Sequence, residues 1–255
     1  MSLLETRGLT VGIGGNLICR DLEFCMEEGE CWGVLGRNGV GKTTLLHTLA
    51  GLREPERGTI RIGGALIGTY TRKQLARKLG LLFQDSQDTF PLTVMEAAMA
   101  GRYPHIPFWA MESAADIQAA RRALTDVELE GVTDRRVDTL SGGERRRLAL
   151  ATLFCQAPSV YLMDEPANHL DLHHQITLLD RVLRRVHAAR GAALMVLHDV
   201  NLLIRFCSHA MLMVDRDTVV CGPRAAVINA VNLERVYRHE INPVTAADKT
   251  YFFPA

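Results

Sequence analysis

The sequence predicts an α/β protein with a mainly parallel sheet, an N-terminal antiparallel β-subdomain and a helical insertion subdomain. Two apolar runs, at 160–163 and 192–197, are each followed directly by charged or polar residues. Continuous apolar strands with polar residues at their carboxyl ends are typical of a parallel sheet covered on both faces, and ligands bind beyond those ends. Between these features and the N-terminal strands, apolar residues recur near helical spacing, which predicts the insertion.

Local patterns justify the other elements in order along the chain. Residues 1–35 alternate short apolar segments with Gly-rich turns, which predicts antiparallel strands. The chain of 255 residues, 47% of them hydrophobic, can build one domain with a subdomain. We expect a core at 1–84 and 158–231, a helical subdomain at about 85–157, and a tail at 232–255 made of a short helix and an extended end; strands at 59–62 and 79–83; and helices at 72–77, 94–100 and 112–130.

One Gly-rich segment fits the phosphate-loop pattern G-x-x-x-x-G-K-[ST]. An apolar strand precedes it and a helix follows it, as that pattern requires, so a P-loop NTPase core is predicted. Glycines let successive N–H groups point at a phosphate, Lys42 supplies charge for the β/γ-phosphates, and Thr43 supplies a hydroxyl for Mg²⁺. The predicted nucleotide-binding residues here are Gly36, Arg37, Asn38, Gly39, Val40, Gly41, Lys42, Thr43 and Thr44.

Charge and cysteine content exclude several other classes of protein. Lys+Arg 29 against Asp+Glu 29 gives no global attraction toward nucleic acid or anionic lipid. The dense basic run 145–147 lacks interleaved aromatics, so we interpret it as a solvated helix face. No apolar stretch reaches the roughly 18 residues of a spanning helix. The cysteines show no C-x-x-C spacing and are expected to be buried, reduced thiols: Cys19, Cys25, Cys31, Cys155, Cys207 and Cys221.

A second motif separates this chain from other phosphate-loop proteins. Leu140 precedes Ser141, Gly142, Gly143 and Glu144. Ser141 and Glu144 have the spacing of a capping box that opens a helix, and the two glycines leave its first N–H groups accessible to an anion. The motif lies upstream of Asp164 and Glu165, the paired carboxylates that end a predicted strand.

With these residues the chain resembles an ATP-binding-cassette (ABC) ATPase over nearly its whole length. The family's landmarks match in order: Walker A at 36–43, the Q-loop glutamine Gln84, the signature at 140–144, Walker B at 160–164 followed by Glu165, a D-loop at 168–171, and the switch histidine His198. The resemblance implies that ATP and Mg²⁺ are bound and that ATP is hydrolysed.

The resemblance also implies a role for each site residue. Glu165 acts as general base; His198 binds the γ-phosphate and orients the water; Thr43, Asp164 and Gln84 bind Mg²⁺. The helix that Ser141 opens serves the nucleotide held by a partner's Lys42, so a homodimer with composite sites is expected.

Ile13 stands where the family usually has an aromatic residue for stacking on adenine, so GTP is less excluded than usual. The pair His173 and His174 has no further ligands at metal-binding spacing, and we interpret it as solvated helix surface.

A compact cassette that lacks a membrane span resembles the transporter subunits that dock beneath a separate permease. Residues 93–105 are similar to a segment of importers for iron chelates, haem and cobalamin. We therefore expect an importer ATPase at the cytoplasmic face of the membrane, with permease subunits and a periplasmic or lipid-anchored binding protein as partners and no nucleic acid. The expected cargo is an iron(III)-siderophore, and haem or cobalamin is the alternative cargo. A third hypothesis is a soluble ABC ATPase that acts on nucleic acid or ribosomes. Phe108 and Trp109 mark either a partner site or local core.

Overall fold

The computed structural model describes residues 2–84, 91–168, 170–246 and 249–255. The strands, in chain order, are β1 (Ser2–Ile13), β2 (Asn16–Glu27), β3 (Cys31–Gly36), β4 (Arg57–Ile62), β5 (Ala65–Leu66), β6 (Leu79–Leu82), β7 (Val160–Asp164), β8 (Ala192–Val196), β9 (His209–Met213), β10 (Val219–Pro223), β11 (Ile241–Ala246) and β12 (Lys249–Pro254). The helices are α1 (Lys42–Leu49), α2 (Arg72–Ala76), α3 (Val94–Ala100), α4 (Ala114–Asp126), α5 (Gly142–Gln156), α6 (Leu172–Ala188), α7 (Val200–Phe206), α8 (Arg224–Val227) and α9 (Ala230–Tyr237).

Two sheets form the α/β core, as the sequence predicted. The N-terminal strands form an antiparallel sheet in the order β2-β1-β4-β5. The second sheet has the order β10-β9-β3-β8-β7-β6, in which every neighbouring pair is parallel except β9 and β10. Strands β7 and β8 are buried at every residue, because helices or the antiparallel sheet cover both of their faces.

Helices α3, α4 and α5 pack against one another, and α5 also packs against β6 of the six-stranded sheet. Each of them begins with a capping box, in which the N-cap hydroxyl accepts from the backbone N–H three residues on and a carboxylate accepts in return. These reciprocal bonds satisfy N–H groups that a helix start leaves without a partner. The three boxes pair Thr93 with Glu96, Ser113 with Asp116, and Ser141 with Glu144.

The register of the parallel strands brings their carboxyl ends to one edge of the sheet. Asp164 at the end of β7 pairs with Val196 at the end of β8, and Met163 pairs with Leu82 at the end of β6. Strand β3 runs parallel beside β8 and ends at Gly36, where the phosphate loop begins. The residues that follow these four strand ends therefore meet in one crevice.

Three details differ from the sequence-based expectations. The helix expected at 112–130 is shorter, because Ser113 caps its start and it ends at Asp126. The extended end of the tail is a β-hairpin of β11 and β12, and Asn201 bonds the Phe252 backbone in both directions. The expectation of buried thiols is wrong for Cys25, which is exposed on β2 because alternate residues of that strand face solvent, and Cys221 on β10 is only half-buried. Among the described residues, no helix has the length and apolar character needed to cross a bilayer.

Candidate active site

The phosphate loop connects β3 to α1 through a backbone that only glycine adopts easily. Gly41, the N-cap of α1, has φ 110°, in the region that L side chains rarely occupy. A Cβ at this position would also lie 2.4 Å from Cγ2 of Ile18, so no larger residue fits without displacing the Ile18 side chain. The loop therefore turns sharply and starts α1 at Lys42, which leaves the first N–H groups of the helix facing the crevice.

Lys42 lies folded back against the loop. Its Nζ donates to the carbonyl oxygens of Gly36 at 2.7 Å and Arg37 at 3.1 Å. Burial lowers the pKa of Lys42, while the charges of Glu165 and Asp164 act in the opposite direction. The loop thus places a cationic group at its own centre, where an anion would be bound.

Thr43 and Asp164 form the contact between the loop and β7. The Thr43 hydroxyl donates to Oδ2 of Asp164 at 2.6 Å. The other oxygen, Oδ1, is buried and has no hydrogen-bond partner within the described part of the chain. Burial raises the pKa of Asp164, and the Thr43 hydrogen bond opposes this rise. A buried carboxylate oxygen without a partner beside a hydroxyl is a donor set that suits a hard cation such as Mg²⁺.

Glu165 is the centre of a second cluster at the same edge. Its Oε1 lies 2.5 Å from Nε2 of His198, which follows β8. Its Oε2 accepts from Gln84 Nε2 at 3.2 Å and from Asn168 Nδ2 at 2.8 Å. Glu165 has φ 50°, a left-handed conformation that is uncommon outside glycine. The structure thus brings together three side chains that the sequence assigned to one site from positions far apart.

The residues of the signature motif form the start of α5. Ser141 and Gly142 are exposed at the start of α5, and Arg135 Nη1 donates to Glu144 at 3.3 Å. Within the described parts of the chain, no hydrogen bond connects residues 141–144 with residues 36–44. The start of α5 is therefore accessible from solvent.

The remaining residues singled out in the sequence are exposed or lie outside the described residues. Ile13, at the end of β1, is 42% exposed, so its apolar side chain is accessible to a ligand. His173 and His174 are exposed at the start of α6, as expected, and the described residues contain no cluster of three or more His, Cys, Asp or Glu that could hold a metal. Of the predicted D-loop, His169 lies outside the described residues.

The interpretation of residues 145–147 as a solvated face is wrong for two of the three arginines. Arg147 Nη1 donates to the carbonyl oxygen of Val127 at 3.1 Å and lies 3.6 Å from the Glu128 carboxylate. Arg146 points into the crevice and donates to backbone carbonyls on both sides of Glu165. Sequence reasoning missed Arg146, although a signal was present: three consecutive helical residues span about 200° of a helix, so they cannot all face solvent on a packed helix.

Comparison with known proteins identifies the family. The family model described as ABC transporter matches residues 19–168. The chain belongs to the ABC transporter family. It is accordingly an ATP-binding cassette, the ATP-hydrolysing type of transporter subunit, as its sequence motifs predicted.

Curated relatives of this cassette match it over most of their lengths. The ferric enterobactin transport ATP-binding protein FepC of Escherichia coli (strain K12) is 35% identical over 239 residues, which cover 92% of this chain and 88% of FepC. The petrobactin import ATP-binding protein FpuD of Bacillus anthracis is 33% identical, covering 93% and 87%. The hemin import ATP-binding protein HmuV of Bordetella parapertussis (strain 12822) is 34% identical, covering 92% and 91%.

The fold of the cassette is also found among solved structures. One of a protein described as a metal-chelate type ABC transporter, in an inward-facing conformation, aligns with a TM-score of 0.86 and 24% identity. The alignment covers 100% of this chain and 98% of that one. The two proteins therefore share a fold over nearly their whole lengths.

Proposed function

We propose that this cassette powers an importer of an iron(III)-siderophore or a related metal chelate through a separate permease. One observation supports the cargo class above others: relatives named for ferric enterobactin and petrobactin transport are 35% and 33% identical across more than nine-tenths of this chain. Haem is the second candidate, because a hemin import protein is 34% identical over a similar length. Specificity for cargo lies outside the cassette, so this proposal depends on relatedness.

The proposal includes an assembly and a place in the cell. Two copies associate, the permease holds them at the cytoplasmic face of the membrane, and a periplasmic or lipid-anchored binding protein delivers the cargo to the permease. Within each copy, residues 1–84 and 158–231 form the nucleotide-binding core. Residues of about 85–157 form the helical subdomain, and residues 232–255 form the tail.

In this mechanism the phosphate loop binds the triphosphate of ATP. The N–H groups of residues 38–43 and the Lys42 ammonium face the phosphates, and Thr44 follows them on α1. Lys42 Nζ now satisfies two carbonyl oxygens of its own loop, and an incoming phosphate oxygen replaces part of that interaction with a stronger, charge-assisted one. Ile13 contacts the base by apolar packing, without the stacking that an aromatic side chain provides.

We assign the metal site to Thr43 and Asp164, with Gln84 at its edge. When bound, Mg²⁺ neutralises charge that develops on the phosphate oxygens during transfer. The buried Oδ1 of Asp164, which has no partner among the described residues, supports this assignment, since a buried charge without compensation is unfavourable. Asp164 would bind the metal in its ionised form, and Thr43, which donates its hydroxyl hydrogen to Oδ2 of Asp164, would keep its oxygen lone pairs available to the metal.

Glu165 then orients the attacking water and accepts its proton. The carboxylate is held from two sides, by His198 at Oε1 and by Gln84 and Asn168 at Oε2. This arrangement fixes the direction of the carboxylate before the substrate arrives. A base that is held in position in this way lowers the barrier to proton transfer. His198 is placed to contact the γ-phosphate while it remains beside Oε1.

The signature helix completes a site in the partner copy. Ser141, Gly142, Gly143 and Glu144 form a capped helix start, in which Ser141 and Gly142 are exposed, and among the described residues it shares no hydrogen bond with the phosphate loop of its own chain. An exposed helix N-terminus with two glycines suits an anion such as a γ-phosphate. One copy alone therefore lacks half of each site, and two copies supply two complete sites.

The surface proposed for the permease is an apolar loop between α3 and α4. Phe108 and Trp109 are 98% and 89% exposed, and Met111 is exposed beside them. Large aromatic side chains that are almost fully accessible are not part of a core, so the interpretation of Phe108 and Trp109 as local core is wrong. Clustered exposed apolar residues mark partner surfaces, and docking on the permease would bury this one.

Uptake in cells tests the cargo. The chromosomal copy is deleted and uptake of radioactive iron is measured from a catecholate siderophore and from haem, with complementation by the wild type or by Glu165→Gln. We expect siderophore uptake to be lost, to return with the wild type and not with Glu165→Gln, and haem uptake to be unchanged. Loss of haem uptake alone would favour the second candidate, and normal uptake of both would reject the proposed cargo class.

A further inference from the structure

Arg146 connects the signature helix to the residues around the catalytic carboxylate. It lies on α5, and its guanidinium group donates to carbonyl oxygens that follow β6 and β7. Nη1 donates to the carbonyl oxygen of Gln84 at 3.1 Å, Nη2 to that of Glu165 at 2.7 Å, and Nε to that of Pro166 at 3.2 Å. Nη1 also donates to the carbonyl oxygen of Phe83, and Nη2 to that of Asp164. A single planar fork thus binds two segments that are far apart in sequence.

Arg146 binds a backbone segment that has an unfavourable conformation at Glu165. Glu165 has φ 50°, and a non-glycine residue in this region is strained unless its surroundings compensate. Strand β7 ends at Asp164, so the carbonyls of the following residues leave the sheet ladder. The guanidinium group binds the carbonyls before, at and after the unusual peptide, which makes this backbone conformation the favoured one.

We propose that Arg146 is a positioning residue for ATP hydrolysis, which fixes the direction of the Glu165 carboxylate and of Gln84 within its own copy. The inference rests on the proposed function, in which Glu165 is the general base and each site is shared between two copies. Arg146 acts in cis, on Glu165 of its own copy, although Arg146 lies on the helix whose first residues serve the partner's nucleotide. Arg146 lies five residues after Ser141, about 7.5 Å along the helix axis.

Charge alone does not account for the arrangement. Every group that accepts from Arg146 in these bonds is a backbone carbonyl, and a fork of N–H donors at fixed angles is needed to bind several of them together. Lysine carries the same charge on a flexible stem with a compact ammonium, so it cannot reproduce the fork. Arg146→Lys is therefore the informative substitution, and Arg122→Lys is its matched control, because Arg122 is exposed on the neighbouring helix α4.

Steady-state kinetics give the first test. Since small misplacement of a catalytic group can cost up to about a hundredfold in rate, we expect Arg146→Lys to lower kcat by about ten- to a hundredfold with KM for ATP little changed. Arg122→Lys keeps both values. A parallel loss of kcat, ATP affinity and thermal stability would reduce Arg146 to a structural contact and overturn the proposal. Arg146→Gln serves if the lysine variant does not fold, because its amide retains two donors.

A double-variant cycle adds a readout that a structural contact would not change. If Arg146 acts through Glu165, then Arg146→Lys introduced into Glu165→Gln lowers the residual rate no further. An additional loss of tenfold or so in that background would show that Arg146 acts independently of the carboxylate, against the proposal.

Mixed dimers decide between action in cis and in trans. Lys42→Ala inactivates the phosphate loop and Gly142→Asp the signature helix, so a mixture retains one site, with Glu165 from the Gly142→Asp copy. Arg146→Lys should reduce activity when it is carried by that copy and have little effect when carried by the Lys42→Ala copy. The reverse pattern would overturn the proposal. An inactive parent mixture would instead contradict the shared site, and the single-variant kinetics would still decide the role of Arg146.

Discussion

The imidazole Nε2 of His198 lies 2.5 Å from Oε1 of Glu165. The carboxylate is almost completely buried, at 8% exposure, whereas the imidazole is 47% exposed. His198 therefore contacts Oε1 from a solvent-accessible position, while Gln84 and Asn168 bind Oε2. Any movement of the imidazole ring changes one of the contacts that orient the base.

Replacing His198 with alanine should reduce turnover without unfolding the protein. The variant removes the contact at Oε1 and leaves Glu165 held only through Oε2, so we expect kcat to fall by about a hundredfold. Thermal stability should change little, because the imidazole is half exposed. His173→Ala is the control, since His173 is an exposed histidine outside the site. Equal kcat values for the two variants would remove His198 from the mechanism.

Replacing Glu165 with glutamine should separate binding from hydrolysis. The amide keeps the shape of the side chain but cannot accept the proton from water, so turnover should fall by about 10²- to 10⁴-fold. ATP binding should persist, and the dimer should become detectable by size-exclusion chromatography in the presence of ATP. Glu112→Gln, an exposed position before α4, should behave as the wild type. Wild-type turnover in Glu165→Gln would show that another group accepts the proton.

The buried carboxylate of Asp164 should make stability without metal depend on pH. Because burial raises its pKa in the folded state above the ordinary value, the folded chain binds more protons than the unfolded chain between those two values. This group therefore stabilises the fold at low pH, and its contribution is lost as pH rises through the folded-state pKa. Asp164→Asn should remove that dependence.

Thermal unfolding at neutral pH provides the measurement. Without metal, Asp164→Asn should gain about 1 kcal/mol, or roughly 2–4 °C in Tm for a chain of this size, because the unpaired buried charge is gone. Adding Mg²⁺ should raise the Tm of the wild type and not that of Asp164→Asn. Asp217→Asn, at an exposed turn, should follow the wild type throughout. A full Mg²⁺ response in Asp164→Asn would contradict the assigned metal site.

Most of the fold and much of the site follow from local sequence patterns, for physical reasons visible in particular elements. The apolar run of β7 and the Gly-rich loop before α1 each specify one structure, because burial on both faces and positive φ restrict the residue types that fit. Capping boxes at Thr93 and Ser141 fix two helix starts in the same way. These features depend on neighbours in sequence.

The features that the sequence did not predict depend on contacts between distant segments. Arg146 and Arg147 look like surface charge until the turn of α5 brings their guanidinium groups to carbonyls about 20 residues away. The C-terminal hairpin is stabilised through Asn201 on α7, which no local pattern indicates. The contact of His198 with Glu165 likewise requires β7 and β8 to be neighbours in the sheet.

The exposed loop between α3 and α4 should be required for membrane attachment and not for folding. We expect Phe108→Ser combined with Trp109→Ser to keep Tm and solution ATPase activity, since both side chains are almost fully exposed. The variant should fail to sediment with inner-membrane vesicles from the deletion strain. Val231→Ser, which removes an exposed apolar side chain from α9, should still sediment. Normal sedimentation of the double variant would exclude this loop as the docking surface.

The central claim is that each hydrolytic site joins the phosphate loop of one copy to the signature helix of another. Lys42→Ala and Gly142→Asp should each be inactive alone, and an equimolar mixture should recover about a quarter of the wild-type rate, because half of the dimers are mixed and each has one intact site. Gly142 accepts a side chain without contacts in its own chain, so its variant should fold normally. Recovery of activity is the predicted result; a mixture that stays as inactive as its components would contradict the shared site.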